Sequence, residues 1–255
     1  MADARVLDYK DTVLRSSDLD ILRGPCYLND QIIGFYFQYL ASSFDCDDIL
    51  LVPPSLSFWL THTQDLDNQS VAPMDFCSKK VIIFSVNDNE DFGRGDDGSH
   101  WSLLVYDRSM NAFVHHDSME GANNLHAVKL YEAVKPFVGR AAVASAKPKS
   151  SSSSAGNHNN NKKKEPAANN SMPSAASTAP PAFIESSSTP QQMNGYDCGL
   201  YVIAIARIIC QRHTSNSKKK AENWFPALQK HVNASVELTL RDEVMKLIED
   251  LRISD

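Results

Sequence analysis

The five cysteines, Cys26, Cys46, Cys77, Cys198 and Cys210, are odd in number and contain no C-x-x-C pair. That pattern argues against a disulfide framework and against a zinc site. Basic charge is not in excess: 25 Lys and Arg stand against 31 Asp and Glu, a net charge of -6. The chain therefore lacks the general electrostatic footprint of a nucleic-acid or anionic-lipid binder. The opening residues MADARVLDYKDTVLRSSDLD have no apolar signal core, and the most apolar run, YVIAIARIIC, is short and broken by Arg207. The expectation is a soluble monomer inside the cell, cytoplasmic, nuclear or both, with no nucleic-acid or membrane partner. Without secretion, the Asn-x-Ser/Thr triplets at Asn68, Asn169 and Asn233 are chance.

Residues 145–181 lack anything to bury: SAKPKSSSSSAGNHNNNKKKEPAANNSMPSAASTAPP is Ser, Asn, Ala, Pro and Lys. Such a segment cannot offset its own ordering entropy and is expected to be a disordered insert. Its Lys162-Lys163-Lys164 run reads as solvated charge. The remainder, with 255 residues in all, is enough for one domain spanning 1–255 that this insert interrupts.

Apolar patterning supplies the elements. Residues 29–44, NDQIIGFYFQYLASSF, read as a buried helix with Asn29 or Asp30 as N-cap. KKVIIFSVND and HWSLLVYDRS read as strands, the first a nearly continuous apolar run suited to a covered central position. AFVHHDS follows as a third strand after a tight turn at residues 108–111. NLHAVKLYEAVKPFVG is helical in spacing, AFIES is a short strand after the insert, and GLYVIAIARIICQRH and VELTLRDEVMKLIEDLRI are helices. Helix, strand meander, helix, strand, helix is an α+β arrangement.

Four residues in this pattern form a set that thiol chemistry requires. Cys198, in QQMNGYDCGLYV, stands at the start of the apolar helix, where the dipole and free N–H groups favour an anion. Cys210, by contrast, sits within the helix, where a structural thiol belongs. Gly199 leaves the Cys198 thiol uncrowded and open to a substrate backbone. His100 heads one strand and Asp117 ends the next, so an antiparallel pair brings the carboxylate to the imidazole and fixes its tautomer. Gln192, six residues before Cys198, can aim an amide N–H at the carbonyl oxygen under attack. Taken singly, each residue has an ordinary structural reading; the conjunction points to a cysteine protease.

GSHWSLLVY, then FVHHDS, then QQMNGYDCGLYV resembles the ubiquitin-like-modifier proteases of the sentrin/SUMO-specific and adenovirus-protease group, and most nearly their short deneddylase branch. YLNDQIIGFYFQYL resembles a further block of that family, usually led by Trp-Leu-Asn-Asp. The resemblance implies the adenain-type fold, a central mixed sheet flanked by helices with the catalytic cysteine at a helix N-terminus. It implies Cys198 as nucleophile, His100 as general base and acid, Asp117 as its orienting partner and Gln192 as oxyanion donor. Trp101 would cover the thin glycine tail of a modifier, Asp30 would meet the tail arginine, and Tyr27, standing where the family has Trp, would form an aromatic wall. His116 takes a position that is often Tyr. No cofactor or metal is implied. The expected partner is a Nedd-type modifier and its conjugates, cullin-like targets included.

The loop at residues 87–99, in which Gly93, Gly95 and Gly98 permit rearrangement and Asp96 and Asp97 can attract a basic tail or surface, is expected to order on modifier binding. Competing readings are a SUMO or ubiquitin deconjugase with the same chemistry, a non-catalytic binder of such modifiers, and a metal protein using Cys46, Cys77 and His115 or His116.

Overall fold

The structure, a computed structural model, describes residues 3–91, 98–138, 179–215 and 224–254. The 92–97 part of the glycine-containing loop, and the 145–181 insert up to residue 178 with its lysine run, lie outside the described residues.

An antiparallel hairpin, β1 (Arg5–Tyr9) and β2 (Thr12–Arg15), leads into α1 (Ser16–Arg23) and α2 (Asp30–Phe44). Then come β3 (Ile49–Val52), α3 (Pro54–His62), the single turn α4 (Asn68–Val71), β4 (Val81–Asn87), β5 (Trp101–Asp107) and β6 (Ala112–His116). Helix α5 (Asn124–Val138) precedes β7 (Ala182–Glu185), and α6 (Cys198–Thr214), α7 (Phe225–His231) and α8 (Ser235–Ser254) complete the chain. The five-stranded sheet has the order β3-β4-β5-β6-β7. Its outer pairs are parallel and its β4-β5-β6 centre is antiparallel, the mixed sheet expected.

Strand periodicity sorts the core into two layers. Val81 and Ile83 of β4, Leu103 and Val105 of β5 and Val114 of β6 face the layer containing α1, α2, α6 and α8. Their alternates Ile82, Phe84, Val86, Leu104, Tyr106 and Phe113 face α3 and α5. A strand covered on both faces needs no polar alternation, which is why β4 reads as an unbroken apolar run.

Helix α6 is buried over twelve of its seventeen residues, as a helix apolar on all sides must be. Arg207, the charge that interrupts it, reaches the Tyr36 hydroxyl at 3.4 Å and Glu243 at 2.9 Å. Asn29, and not Asp30, caps α2: its Oδ1 accepts the Ile32 N–H at 3.0 Å. Among the described residues no helix is long and apolar enough to cross a membrane.

His116 is fully enclosed beneath the α6–α7 side of the sheet. Trp224 Nε1–H donates to its Nε2 at 3.0 Å, and its Nδ1 lies 3.0 Å from the Thr189 hydroxyl. The indole can only donate, so Nε2 is the bare nitrogen and the imidazole is neutral. Burial, with the neighbouring His115 adding to it, pulls its pKa from 6.5 down to about 3. In the unfolded chain this imidazole takes a proton below about 6.5, whereas the folded protein refuses it until about pH 3. Its stability contribution is therefore complete above 6.5 and is lost as pH falls from there toward 3. Urea unfolding at pH 7 and pH 5 is expected to show a larger drop in midpoint for the wild type than for His116→Asn; equal drops would assign the acid sensitivity elsewhere.

Candidate active site

The first residue of α6 is Cys198, so its N–H and that of Gly199 have no partner within the helix. The preceding loop is fixed by its own side chains. Asn194 Oδ1 accepts the N–H groups of Tyr196 and Asp197, each at 3.0 Å, forming a local turn that launches the helix. Gln191 and Gln192 stitch this loop to the chain after β6. Gln191 Nε2 donates to the Asp117 carbonyl at 2.9 Å, Gln192 N–H donates to the Ser118 carbonyl at 3.0 Å, and Ser118 Oγ–H donates to Gln192 Oε1 at 2.7 Å. One hydrogen of Gln192 Nε2 goes to the Asn194 carbonyl at 2.6 Å, which leaves the second for another acceptor.

His100 is held from its backbone. Its N–H donates to Asp88 Oδ1 at 2.9 Å, and its carbonyl accepts the side-chain amides of Asn87 and Asn123, each at 3.1 Å. The register Leu103↔His116 brings Asp117, one step past β6, alongside the start of β5. There His100 Nε2 and Asp117 Oδ1 are 2.6 Å apart, both groups buried. Asp117 also accepts the N–H of Met119 on Oδ1 and of Asn123 on Oδ2, each at 2.9 Å. Burial works to protonate this carboxyl, but the bonds from His100, Asn123 and Met119 prevail and hold it below the usual carboxylate value. Since Asp117 only accepts, Nε2 carries the proton, and Nδ1 is buried with no well-formed hydrogen bond. The other group acting on the ring is the Cys198 sulfur. Burial disfavours charge on His100, yet the bonds and charges of Asp117 and Cys198 together raise its pKa to about 9. At neutral pH the imidazole is thus protonated. Cys210, farther along α6, has no such partner, and burial pushes its thiol up to about 12.

Gly199 does something other than leave room for a substrate. A Cβ there would stand 2.8 Å from Leu28 Cβ, so Leu28 already occupies the space. The Leu28 carbonyl in turn accepts Trp101 Nε1–H at 2.8 Å. The nucleophile's helix, the chain before α2 and the tryptophan beside His100 are therefore one packed unit. The Cys198 thiol itself is completely covered.

Trp101 also borders a cavity of about 570 Å³, whose lining includes Tyr27, Asp30, Phe58 and Trp59. The seven sequence candidates thus separate into two adjoining groups. Cys198, His100 and Asp117 gather at the thiol, with Gln192 bonded to Ser118 next to Asp117, while Tyr27 and Asp30 meet Trp101 at the cavity. Asp30, freed from capping, is solvent-reaching at the cavity wall; burial there and the charge of Asp18 raise its pKa against the bonds from Gln31. The alternative metal set does not assemble: the Cys77 thiol donates to the Phe137 carbonyl, His115 is bonded to Glu185 and Ser102, and His116 is enclosed as above.

Two residues at the site went unpredicted, Glu237 and Arg241 of α8. Glu237 accepts Met193 N–H at 2.6 Å, the Tyr201 hydroxyl at 3.0 Å and Asn194 Nδ2 at 3.0 Å. Burial, with the bond to Glu237 adding to it, raises the Tyr201 phenol well above its ordinary value. Arg241 contacts Oδ1 of buried Asp197 through Nε at 3.1 Å and Nη2 at 2.5 Å, and its Nη1 and Nη2 donate to the carbonyls of Ile21 and Cys26. Their only sequence signal is their place on the inner stripe of an amphipathic helix, which does not say what that stripe faces.

A thiol at a helix N-terminus facing an imidazole whose other nitrogen is bonded to a buried carboxylate is the arrangement of a cysteine peptidase. The comparisons give the family. The family model "Ulp1 protease family, C-terminal catalytic domain" matches residues 27–244, and the chain belongs to that family. It is 36% identical to NEDD8-specific protease 1 of Arabidopsis thaliana, over 98% of this chain and 94% of the relative. It is 33% identical to human sentrin-specific protease 8, over 82% of each chain. The solved Ulp1 protease domain in complex with Smt3, the yeast orthologue of SUMO, shares the fold with a TM-score of 0.58 at 15% identity, over 98% of this chain and 89% of that one.

Removing Arg241 would strand the Asp197 carboxylate in the protein interior next to the nucleophile. Arg241→Leu is expected to cost about 3–5 kcal/mol of unfolding free energy, the usual effect of breaking a buried pair, and Asp197→Asn added to it to restore part of the loss. Urea titrations of the two variants check this; no recovery in the double variant would show that the arginine acts only through the two carbonyls.

Proposed function

We propose that this protein is a thiol isopeptidase that cleaves after the C-terminal Gly-Gly of a NEDD8-type modifier, releasing it from lysine side chains of cullin-like targets or trimming its precursor. The observation that carries the chemistry is the 2.6 Å His100–Asp117 bond, which commits Nε2 to the carboxylate and leaves Nδ1 for Cys198. The modifier is supported by the names of the relatives at 36% and 33% identity, both aligned along most of the chain.

In this mechanism the Cys198 thiolate, paired with the His100 imidazolium, attacks the terminal glycine carbonyl. The oxyanion takes the Cys198 backbone N–H and the second Nε2 hydrogen of Gln192, whose other hydrogen stays on the Asn194 carbonyl. His100 Nδ1–H passes its proton to the leaving lysine amine as the C–N bond breaks. Neutral His100 then takes a proton from water as the oxygen attacks the thioester, the C–S bond breaks to return the Cys198 thiolate, and the glycine carboxylic acid leaves and gives its proton to solvent. Asp117 stays ionised throughout, since its remaining acceptor capacity is filled by Met119 and Asn123.

Selection of two glycines follows from the packing. The tail must pass Trp101 to reach the thiol, and Trp101 is pinned by its bond to Leu28, which is itself wedged against Gly199. A residue without a side chain is what such a passage admits. The cavity bordered by Trp101 then receives the preceding tail residues, with Asp30 placed for a basic one.

Electrophilic C-terminal probes built on NEDD8, SUMO and ubiquitin separate the readings. The NEDD8 probe is expected to label the wild type and to fail with Cys198→Ala. Labelling by SUMO or ubiquitin instead would keep the chemistry and change the substrate, and no labelling of folded protein would leave a non-catalytic binder.

The pH profile tests the acid. An imidazolium that must donate a proton is lost as pH rises through about 9 in the free enzyme, so kcat/KM should fall along an alkaline limb there. Asp117→Asn removes a contribution that raises this value and should move the limb to lower pH as well as lower the rate; an unmoved limb would assign it to another group.

A further inference from the structure

At the end of α6 opposite Cys198, a second constellation of chemistry-bearing side chains has no part in the mechanism above. His213 lies in the last turn of that helix, and Cys46 and Asp48 lie in the short connection between α2 and β3. One ligand atom from each, a thiol sulfur, a carboxylate oxygen and an imidazole nitrogen, all fall within 4.8 Å of one another. We propose that these three residues bind a divalent transition-metal ion of the zinc class, at a site separate from the peptidase centre.

The donor set fits that chemistry. Thiolate, imidazole and carboxylate are the ligands zinc takes, at about 2.0–2.3 Å, which places tetrahedral ligand atoms about 3.3–3.7 Å apart. His213 Nε2 and Asp48 Oδ2 are already 3.6 Å apart, near ligand spacing and too long for a hydrogen bond. Closing the set requires only a modest side-chain approach by the thiol, and a water would complete the fourth position.

The scaffold holds two of the ligands in advance. Ile49 N–H donates to the Cys46 carbonyl at 3.1 Å, and the Asp48 carbonyl accepts the N–H groups of Lys80 and Val81 at 2.8 and 3.1 Å. The turn carrying Cys46 and Asp48 is thereby fixed to the start of β4. Lys80 Nζ donates at 2.7 Å to Asp48 Oδ2, the same oxygen that faces His213, and so orients the carboxylate toward the imidazole. His213 stands where the last carbonyls of α6 favour a positive charge. The half-buried setting of all three gives an ion access from solvent.

The arrangement eluded the sequence because its parts are far apart: Cys46 and Asp48 are two residues from one another, but His213 is contributed from the far end of a helix near the other end of the chain. Binding would tie the C-terminal end of α6 to the loop before β3.

The test uses the full chain stripped by a chelator and titrated with Co(II), then with zinc in competition against a chromogenic chelator. Wild type and Cys198→Ala are both expected to take up one equivalent, with a thiolate-to-cobalt charge-transfer band and the strong visible bands of tetrahedral cobalt. Cys46→Ser should lose the charge-transfer band, and His213→Ala and Asp48→Asn should each weaken binding at least about tenfold, by the general effect of removing a ligand or its support. All three variants should cleave substrate at the wild-type rate in the absence of metal, which shows that they fold. No bound equivalent in the wild type would overturn the proposal, as would undiminished binding in Cys46→Ser or loss of binding in Cys198→Ala alone, which would put the ion at the catalytic thiol. Should Cys46→Ser fail to fold, the His213 and Asp48 variants decide the matter by the same readouts.

Discussion

Helix α6 is enclosed on almost every side, and that burial determines where the Cys198 thiol stands. Leu200, Val202, Ile203, Ile205, Ile208 and Ile209 are all buried. At about 1.5–3 kcal/mol for each side chain removed from water, they contribute on the order of 10–20 kcal/mol, an upper figure because the unfolded chain already buries some of this surface. That is comparable with or above the whole net stability of an ordinary domain, about 5–15 kcal/mol. The helix cannot slide by a residue without giving up the fold. Its first residue is accordingly one of the best-defined points in the molecule, and the reacting atom is placed there.

Electrostatics acts on this fixed point from two directions. His100 and Asp117 form a buried pair next to the thiol, and Asp197 and Arg241 form another just before it. Isolated charges in such surroundings would be costly, and each is met by more than one partner: Asp117 by three donors, Asp197 by Arg241 and Asn194. Arg241 spends its remaining hydrogens on the carbonyls of Ile21 and Cys26, so the same side chain that balances Asp197 also anchors the chain leading to Leu28. Helix α8 thus braces both the loop before Cys198 and the chain before α2.

How much of this could be read from the sequence depends on the range of the interactions. The helices α2, α5, α6 and α8 and strands β4, β5, β6 and β7 were legible because their apolar spacing is long or bounded by turns. The β1–β2 hairpin, α1, β3 and α3 were not, being short segments whose type is decided by what they pack against. The meeting of His100 with Asp117 was legible because one tight turn relates the strands that carry them, and the place of Cys198 because it opens a long apolar helix. Gly199 was misread for the opposite reason. Its neighbour, Leu28, arrives from 171 positions earlier in the chain, and no local pattern announces a contact at 2.8 Å. Glu237 and Arg241 were hidden in the same way, as ordinary charges of an amphipathic helix.

The full covering of the thiol bears on selectivity under the proposed reaction. A nucleophile with no accessible surface cannot meet a carbonyl until the cleft around it opens. Opening must displace the packed groups that cover it, and this costs free energy before any bond is formed. Only a ligand with contacts elsewhere can offset it, and the 570 Å³ cavity bordered by Trp101 offers such contacts at a distance from the chemistry. Binding energy from the tail and body of a folded modifier is then spent on exposing the thiol, whereas a short peptide ending in Gly-Gly lacks it. Protection of the thiol and discrimination against small substrates would have the same physical origin, the burial of Cys198.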